Sequence, residues 1–169
     1  SSMTRTLILT RHTKSAWDDP GLDDHDRPLN DRGRRAAAAI GDWLKSRGYV
    51  PDTVLSSTAQ RTRETWEGIA PAFAKPPEPT WLAALYHADA QAMLEVLRQA
   101  EGGTVLMLGH NPSIADFATR LLDQAPNLPG FLRYPSGATT VIRFQNDAWS
   151  GTNFGAGQFV DFVKPRDLE

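Results

Sequence analysis

Two short runs constrain the fold more than any other feature. Residues 6–10 (TLILT) and 104–108 (TVLML) are apolar or β-branched at every position. A strand with one wet face alternates polar and apolar residues. Unbroken apolarity instead fits burial on both faces, as in a parallel sheet covered by helices on each side. Helical patterns lie between and after these runs. Asn30 can cap a helix over residues 31–47, in which Ala37, Ile40 and Leu44 are spaced three and four apart and Gly48 stands at the end. A strand at 53–56 precedes a helix at 58–70, stopped by Pro71. Trp81-Leu82 reads as a short strand, Asp89 caps a helix reaching about residue 100, and a further helix covers 113–122. Residues 14–28, 75–79 and 125–135 are rich in Pro, Gly or Asp and read as loops. Residues 138–144 and 157–163 alternate and read as a strand pair able to run antiparallel at one side of the sheet. There is no internal repeat and no boundary. The pattern predicts one α/β domain over residues 3–169, a three-layer sandwich with a mostly parallel central sheet flanked by helices. Ser1 and Ser2, before Met3, read as a cloning scar.

Composition narrows the function classes. At 40% hydrophobic and 22% charged residues, the 169-residue chain can build a core, which argues against a disordered tail. With 18 basic and 20 acidic residues it lacks the basic excess of a nucleic-acid or anionic-membrane binder. The absence of cysteine removes disulfides, thiolate nucleophiles and Cys-ligated metal centres. No apolar run approaches the roughly 18 residues of a spanning helix, so a cytoplasmic monomer is the expectation. Of the basic residues 14 are Arg, the side chain whose planar fork suits phosphate.

The chemistry-bearing residues fall at strand ends. Arg11-His12 follows the first buried strand, and Gly109-His110 follows the one at 104–108. Ser56-Ser57 ends a third, with Arg61 one turn into the helix behind it. In open α/β sheets ligands bind at the carboxyl ends of the strands. Two His and two Arg could therefore surround one cleft. Guanidiniums clamp an oxyanion, a neutral imidazole among cations is a nucleophile, and a second, protonated imidazole would stabilise the transferring oxygens. Such a set suits phosphoryl transfer with neither metal nor cofactor. A metal site from His12, His87 and His110 lacks HxH or HExxH spacing, and no GxGxxG or GxxxxGK[ST] loop is present.

Residues 7–15 (LILTRHTKS) resemble the opening motif of the histidine phosphatase superfamily. The resemblance continues through Arg27-Pro28-Leu29-Asn30 with Gly33, through Ser56-Ser57 with Arg61, Thr62 and Thr65, and through Gly109-His110-Asn111-Pro112. It covers almost the whole chain. Within the superfamily the short length, KSAWDDPGLDDHDRPLNDRG, RTRETW and the late FVKPR are most similar to the SixA-type phosphohistidine phosphatases. The resemblance implies His12 as the residue that takes up the phosphoryl group and Arg11, Arg61 and His110 as the phosphate pocket. It implies no metal and no cofactor. Candidate substrate contacts are Thr13, Ser15, Asp18, Ser57, His87 and Asn111. The hydroxyl of Thr13, which replaces the usual Gly or Ala, could touch phosphate.

The chain departs from mutase-like and acid-phosphatase-like relatives in lacking an obvious carboxylic general acid. Residues 81–89 (WLAALYHAD) hold no Glu at the strand end, and Asn111 follows His110. An alkoxide leaving group needs a proton as the bond breaks, whereas an imidazole leaves once its ring is protonated. The missing acid therefore points to a phosphohistidine-containing protein as substrate. Three alternatives stay open: Asp18, Asp19 or His87 serving as acid, a phosphomonoesterase acting on a small phosphorylated metabolite, and a phosphate-binding module without turnover.

Overall fold

The computed structural model describes residues 4–169; the cloning-scar reading of Ser1 and Ser2 falls outside them. Six strands form one sheet: β1 (Arg5–Arg11), β2 (Thr53–Ser57), β3 (Thr80–Leu82), β4 (Thr104–Gly109), β5 (Thr139–Phe144) and β6 (Gln158–Val163). Their order is β3-β2-β4-β1-β5-β6. β1, β2, β3 and β4 run parallel to their neighbours within this set. β5 pairs antiparallel with β1, and β6 with β5, which places the expected antiparallel pair at one side.

The unbroken apolarity of the central strands has the expected cause. Successive side chains point to opposite faces. Leu7, Leu9, Val105 and Met107 enter one core with Met93, Leu94, Leu97, Ile114, Phe117 and Leu121. Ile8, Leu106 and Leu108 enter the other with Ala37, Ile40, Leu44, Trp66 and Ile69. Helices α1 (Asp31–Ser46) and α2 (Gln60–Ile69) thus cover one face, and α3 (Ala90–Arg98) and α4 (Ser113–Leu121) the other. This is a single α/β domain of three layers.

The predicted caps are present. Asn30 Oδ1 accepts from Gly33 N–H at 2.8 Å, and Asp89 Oδ1 from Ala92 N–H at 2.8 Å. Gly33 is also required sterically, because a Cβ there would lie 2.1 Å from the Lys14 carbonyl oxygen. That close approach lets the segment after β1 cross the start of α1. Among the boundaries that differ from expectation, two have a visible cause. α2 begins at Gln60 because Ser57 Oγ accepts from Ala59 N–H at 3.2 Å and holds a turn there, so Arg61 is the second residue of the helix. Pro71 does not stop the chain abruptly. It sits in a 3₁₀ turn, Ala70–Ala72, whose first residues need no donor. The loop at 14–28 contains a 3₁₀ turn, Asp24–Asp26, and a bridge from Ser15 to Leu29. Among the described residues no helix is long and apolar enough to cross a membrane.

Candidate active site

The parallel register sets Arg11 beside Gly109 at the ends of β1 and β4. The next residues, His12 and His110, therefore become neighbours, with ring centroids 5.3 Å apart. They line a cavity of about 250 Å³ together with Arg11, Arg27, Arg61 and Asn111. Lys14, Ser15, Trp17 and Ser136 complete its wall. Four cations and no carboxylate line this wall.

His12 is held in one tautomer. Its Nδ1 lies 2.7 Å from the Thr13 carbonyl oxygen, which can only accept. The ring proton is therefore on Nδ1 and the lone pair on Nε2. The Thr13 backbone is fixed in turn, since its N–H donates to Thr65 Oγ1 at 3.1 Å and the Thr65 hydroxyl donates to Arg61 O at 2.7 Å. Burial, with smaller contributions from His110, Arg11 and Arg61, depresses the His12 pKa to about 3 against the favourable Thr13 hydrogen bond. His110 is likewise depressed to about 3, by burial first and Arg61 next. Both rings are neutral at pH 7. Against the expectation of a protonated second imidazole, burial, and Arg61 beside it, keep the His110 ring neutral. His110 Nε2 lies 2.8 Å from Ser57 Oγ. Ser57 Oγ accepts from Ala59 N–H, and Nε2 is the one acceptor its own hydroxyl reaches among the described residues; with that hydroxyl proton directed at Nε2, the neutral His110 ring carries its proton on Nδ1.

Four polar atoms around this cavity are buried without a hydrogen-bond partner: Arg11 Nε, Arg61 Nε, His110 Nδ1 and Asn111 Oδ1. Buried donors are almost always satisfied in folded proteins, and exceptions concentrate where a ligand belongs. Three of these four are donors suited to an oxyanion.

The other candidates divide. Ser15 and Asn111 lie on the wall. Ser15 Oγ accepts from Arg27 at 3.0 Å, and the Asn111 amide donates to the carbonyls of Arg133 and Tyr134 at 2.8 and 3.0 Å. Ser57 stands behind His110. Thr13 does not turn its hydroxyl to the cavity; Oγ1 sits 3.3 Å from Thr65 Oγ1 on α2. Asp18 borders a separate depression with Asn30 and Arg34. His87 packs its ring on Tyr86, centroids 4.0 Å apart, and is absent from the wall.

Lys14, Trp17 and Ser136 on this wall were not among the candidates, and neither were Arg27 and Asp24. Arg27, in the recognised RPL segment, is buried and reaches Ser15, Ala16 O and Asp24, with Trp17 stacked 3.4 Å from its Cζ. Asp24 accepts from Arg61 at 3.0 Å and from the Tyr86 hydroxyl at 2.5 Å, while its carbonyl takes a second Arg61 N–H at 2.7 Å. The Tyr86 hydrogen bond first, and Arg61 next, hold its carboxyl far below the usual range. It is a carboxylate that anchors Arg61 and has no proton to give. The run Asp23-Asp24-His25-Asp26 gave no signal as to which carboxylate would reach Arg61.

A model of the histidine phosphatase superfamily (branch 1) matches residues 7–82. An uncharacterised protein of Mycobacterium tuberculosis is 34% identical over 166 residues, covering 92% of this chain and 99% of that one. The chain belongs to the histidine phosphatase superfamily. A protein of Agrobacterium tumefaciens proposed to be the phosphohistidine phosphatase SixA superimposes with a TM-score of 0.79 at 29% identity, covering 95% of this chain and 99% of that chain. A Nakamurella counterpart gives 0.78 at 29%, covering 96% of both chains. An uncharacterised chloroplastic protein of Arabidopsis thaliana is 49% identical over 69 residues; the match takes in 41% of this chain and 32% of that longer protein. As a histidine phosphatase superfamily member the chain shares its fold with phosphatases and mutases.

The two depressed imidazoles have a thermodynamic consequence. An unfolded His titrates near 6.5, while His12 and His110 remain unprotonated down to about 3. Between those values the unfolded state binds more protons, so stability is complete above about pH 6.5 and is lost as pH falls. Each ring contributes a slope of up to about 1.4 kcal/mol per pH unit in that window. The lowered Asp24 acts with the same sign, below about pH 4. Urea unfolding between pH 7 and 4.5 should show this decline, and His110→Ala should remove about one proton of it. NMR titration should find neither ring protonating between pH 8 and 5.

Proposed function

We propose that the protein is a phosphatase that removes the phosphoryl group from phosphohistidine, borne on a protein, through a phosphohistidine intermediate on His12. The observation that carries the reading is the set of unsatisfied donors on Arg11, Arg61 and His110 around a neutral imidazole with a free Nε2. In the first step Nε2 attacks phosphorus. The His12 N–P bond forms as the bond to the substrate imidazole breaks, and that imidazole departs neutral if its second nitrogen already holds a proton. Arg11 and Arg61 meet the charge on the phosphoryl oxygens, and neutral His110 donates its Nδ1 proton to one of them. Water then attacks the phosphoryl group on His12, inorganic phosphate leaves, and Nε2 regains its lone pair.

Substrate class follows from what could supply a proton. Among the described residues no carboxylic acid lines the cavity, and the nearby Asp24 is ionised. A leaving group that needs no acid is thereby favoured, which supports phosphohistidine over alkyl esters. The likeness to the two SixA structures at 29% identity supports the same class. A phosphomonoesterase for small metabolites is the second reading, and Tyr86-stacked His87 is its available acid.

Leaving-group dependence separates the two. Phosphoimidazole and phosphohistidine peptides should be hydrolysed well, alkyl phosphates poorly, and aryl phosphate rates should fall steeply as the phenol pKa rises. A flat dependence that turns steep in His87→Gln would transfer the acid role to His87 and replace phosphohistidine with ordinary esters.

A further inference from the structure

Beside the His12 cavity lies a larger one of about 410 Å³. Lys14 and Ser136 stand in both walls. The other charged residues around it are Arg32, Arg133, Lys164, Arg166 and Glu169. Five cations therefore face one carboxylate. Two of them are neutralised, Arg32 by Glu169 at 3.5 Å and Lys164 by Asp167 at 3.3 Å. Lys14, Arg133 and Arg166 have no ion-pair partner among the described residues.

Isolated surface cations are ordinarily just solvated. These three side chains are exposed, but the backbones that carry them are tied to the phosphate pocket. The turn from Arg133 to Gly137 is the partition between the cavities. Asn111 donates to the carbonyls of Arg133 and Tyr134, Arg11 donates to Tyr134 O at 3.1 Å, and Gly137 N–H donates to His12 O at 2.9 Å. Gly137 adopts φ 80°, and a Cβ there would come within 2.5 Å of the Pro165 ring, so the turn packs directly against the residue preceding Arg166. The backbones carrying Arg133 and Arg166 are thus set in place relative to His12. A concave site with like charges held together lowers its energy by taking up an anion.

We infer that this annex is a second anion subsite, which holds a carboxylate or phosphate group carried by the substrate beyond its reacting phosphoryl group, and so selects acidic substrates. The inference rests on the proposed function only in taking the His12 cavity as the place of the reacting phosphoryl group.

The experiment compares phosphohistidine peptides flanked by Glu with the same peptides flanked by Gln, on the wild-type protein and on Arg133→Gln/Arg166→Gln. Neither residue's side chain lines the His12 cavity. The Glu-flanked peptide should show about tenfold higher kcat/KM, carried by KM, shrinking near about 0.5 M salt and lost in the double variant, while the Gln-flanked peptide is unaffected. A second arm compares a small diol bisphosphate with its monophosphate; a preference found there and not with peptides assigns the anion to a small molecule. Equal KM within both arms, or a preference that survives in the double variant, overturns the subsite. If no phosphohistidine compound is turned over, the functional reading fails separately. Anisotropy with fluorescein-labelled hexaglutamate and hexaglutamine then tests the subsite alone. Tighter binding of hexaglutamate that the double variant abolishes supports it, and equal binding overturns it.

Discussion

His12→Ala should reduce turnover of a phosphoimidazole substrate by at least about 10⁴-fold, the scale on which removal of a covalent nucleophile is felt. The fold should survive. His12 sits beyond the last residue of β1, and the one hydrogen bond of its side chain is to the Thr13 carbonyl, while its backbone bonds to Gly109 and Gly137 survive truncation. Loss of that bond costs about 1 kcal/mol, or roughly 2–4 °C in melting temperature for a chain of this size. The variant should retain phosphate binding, because the donors of Arg11, Arg61 and His110 are untouched. Acid-labile, base-stable phosphate should accumulate on the wild-type protein during turnover and be absent from the variant. Normal single-turnover hydrolysis by His12→Ala would remove the nucleophile assignment.

Arg61→Lys should cost about 2 kcal/mol of transition-state stabilisation, roughly 30-fold in kcat/KM, although the charge is retained. The guanidinium is buried and uses its fork in two directions. NH1 and NH2 reach Asp24, one to its carbonyl and one to its carboxylate, while Nε is left without a partner. A single ammonium cannot hold that anchor and present a second donor at a fixed angle. Lys at this position should therefore lower kcat more than it weakens product inhibition by phosphate. Unchanged kcat/KM in Arg61→Lys would place the residue outside the reaction.

The strand ends were legible because their physics is local. Five apolar residues followed by Arg-His can be read in a window of seven, and the position of such a pair in an α/β sheet follows from chain direction. The same holds for Asn30 and Asp89, whose caps act three residues away. What stayed hidden depends on distant partners. Asp24 reaches Arg61 and Tyr86 across 37 and 62 residues, and no feature of DDHD favours one Asp over its neighbours. Thr13 was placed at the phosphate by its motif position, and the hydroxyl it actually meets, that of Thr65, lies 52 residues away. The neutral state of His110 required the degree of its burial, which composition does not carry. The cationic annex joins Lys14 to Arg133 and Arg166, residues that only the turn after α4 brings together.

The strand order bears on how similarity in this superfamily is apportioned. The matched stretch, residues 7–82, contributes β1, β2 and β3 with Arg11, His12 and Arg61. Yet β1 and β2 do not pair; β4 lies between them and brings His110. The half of the chain that is easiest to recognise is therefore no module. Cut free, it would expose both long edges of β1 and one of β2, with the phosphate clamp split across a missing strand. Ancestry is most visible in the first 82 residues, but inheritance must act on the whole polypeptide, since neither half can be selected for chemistry without the strand that the other supplies.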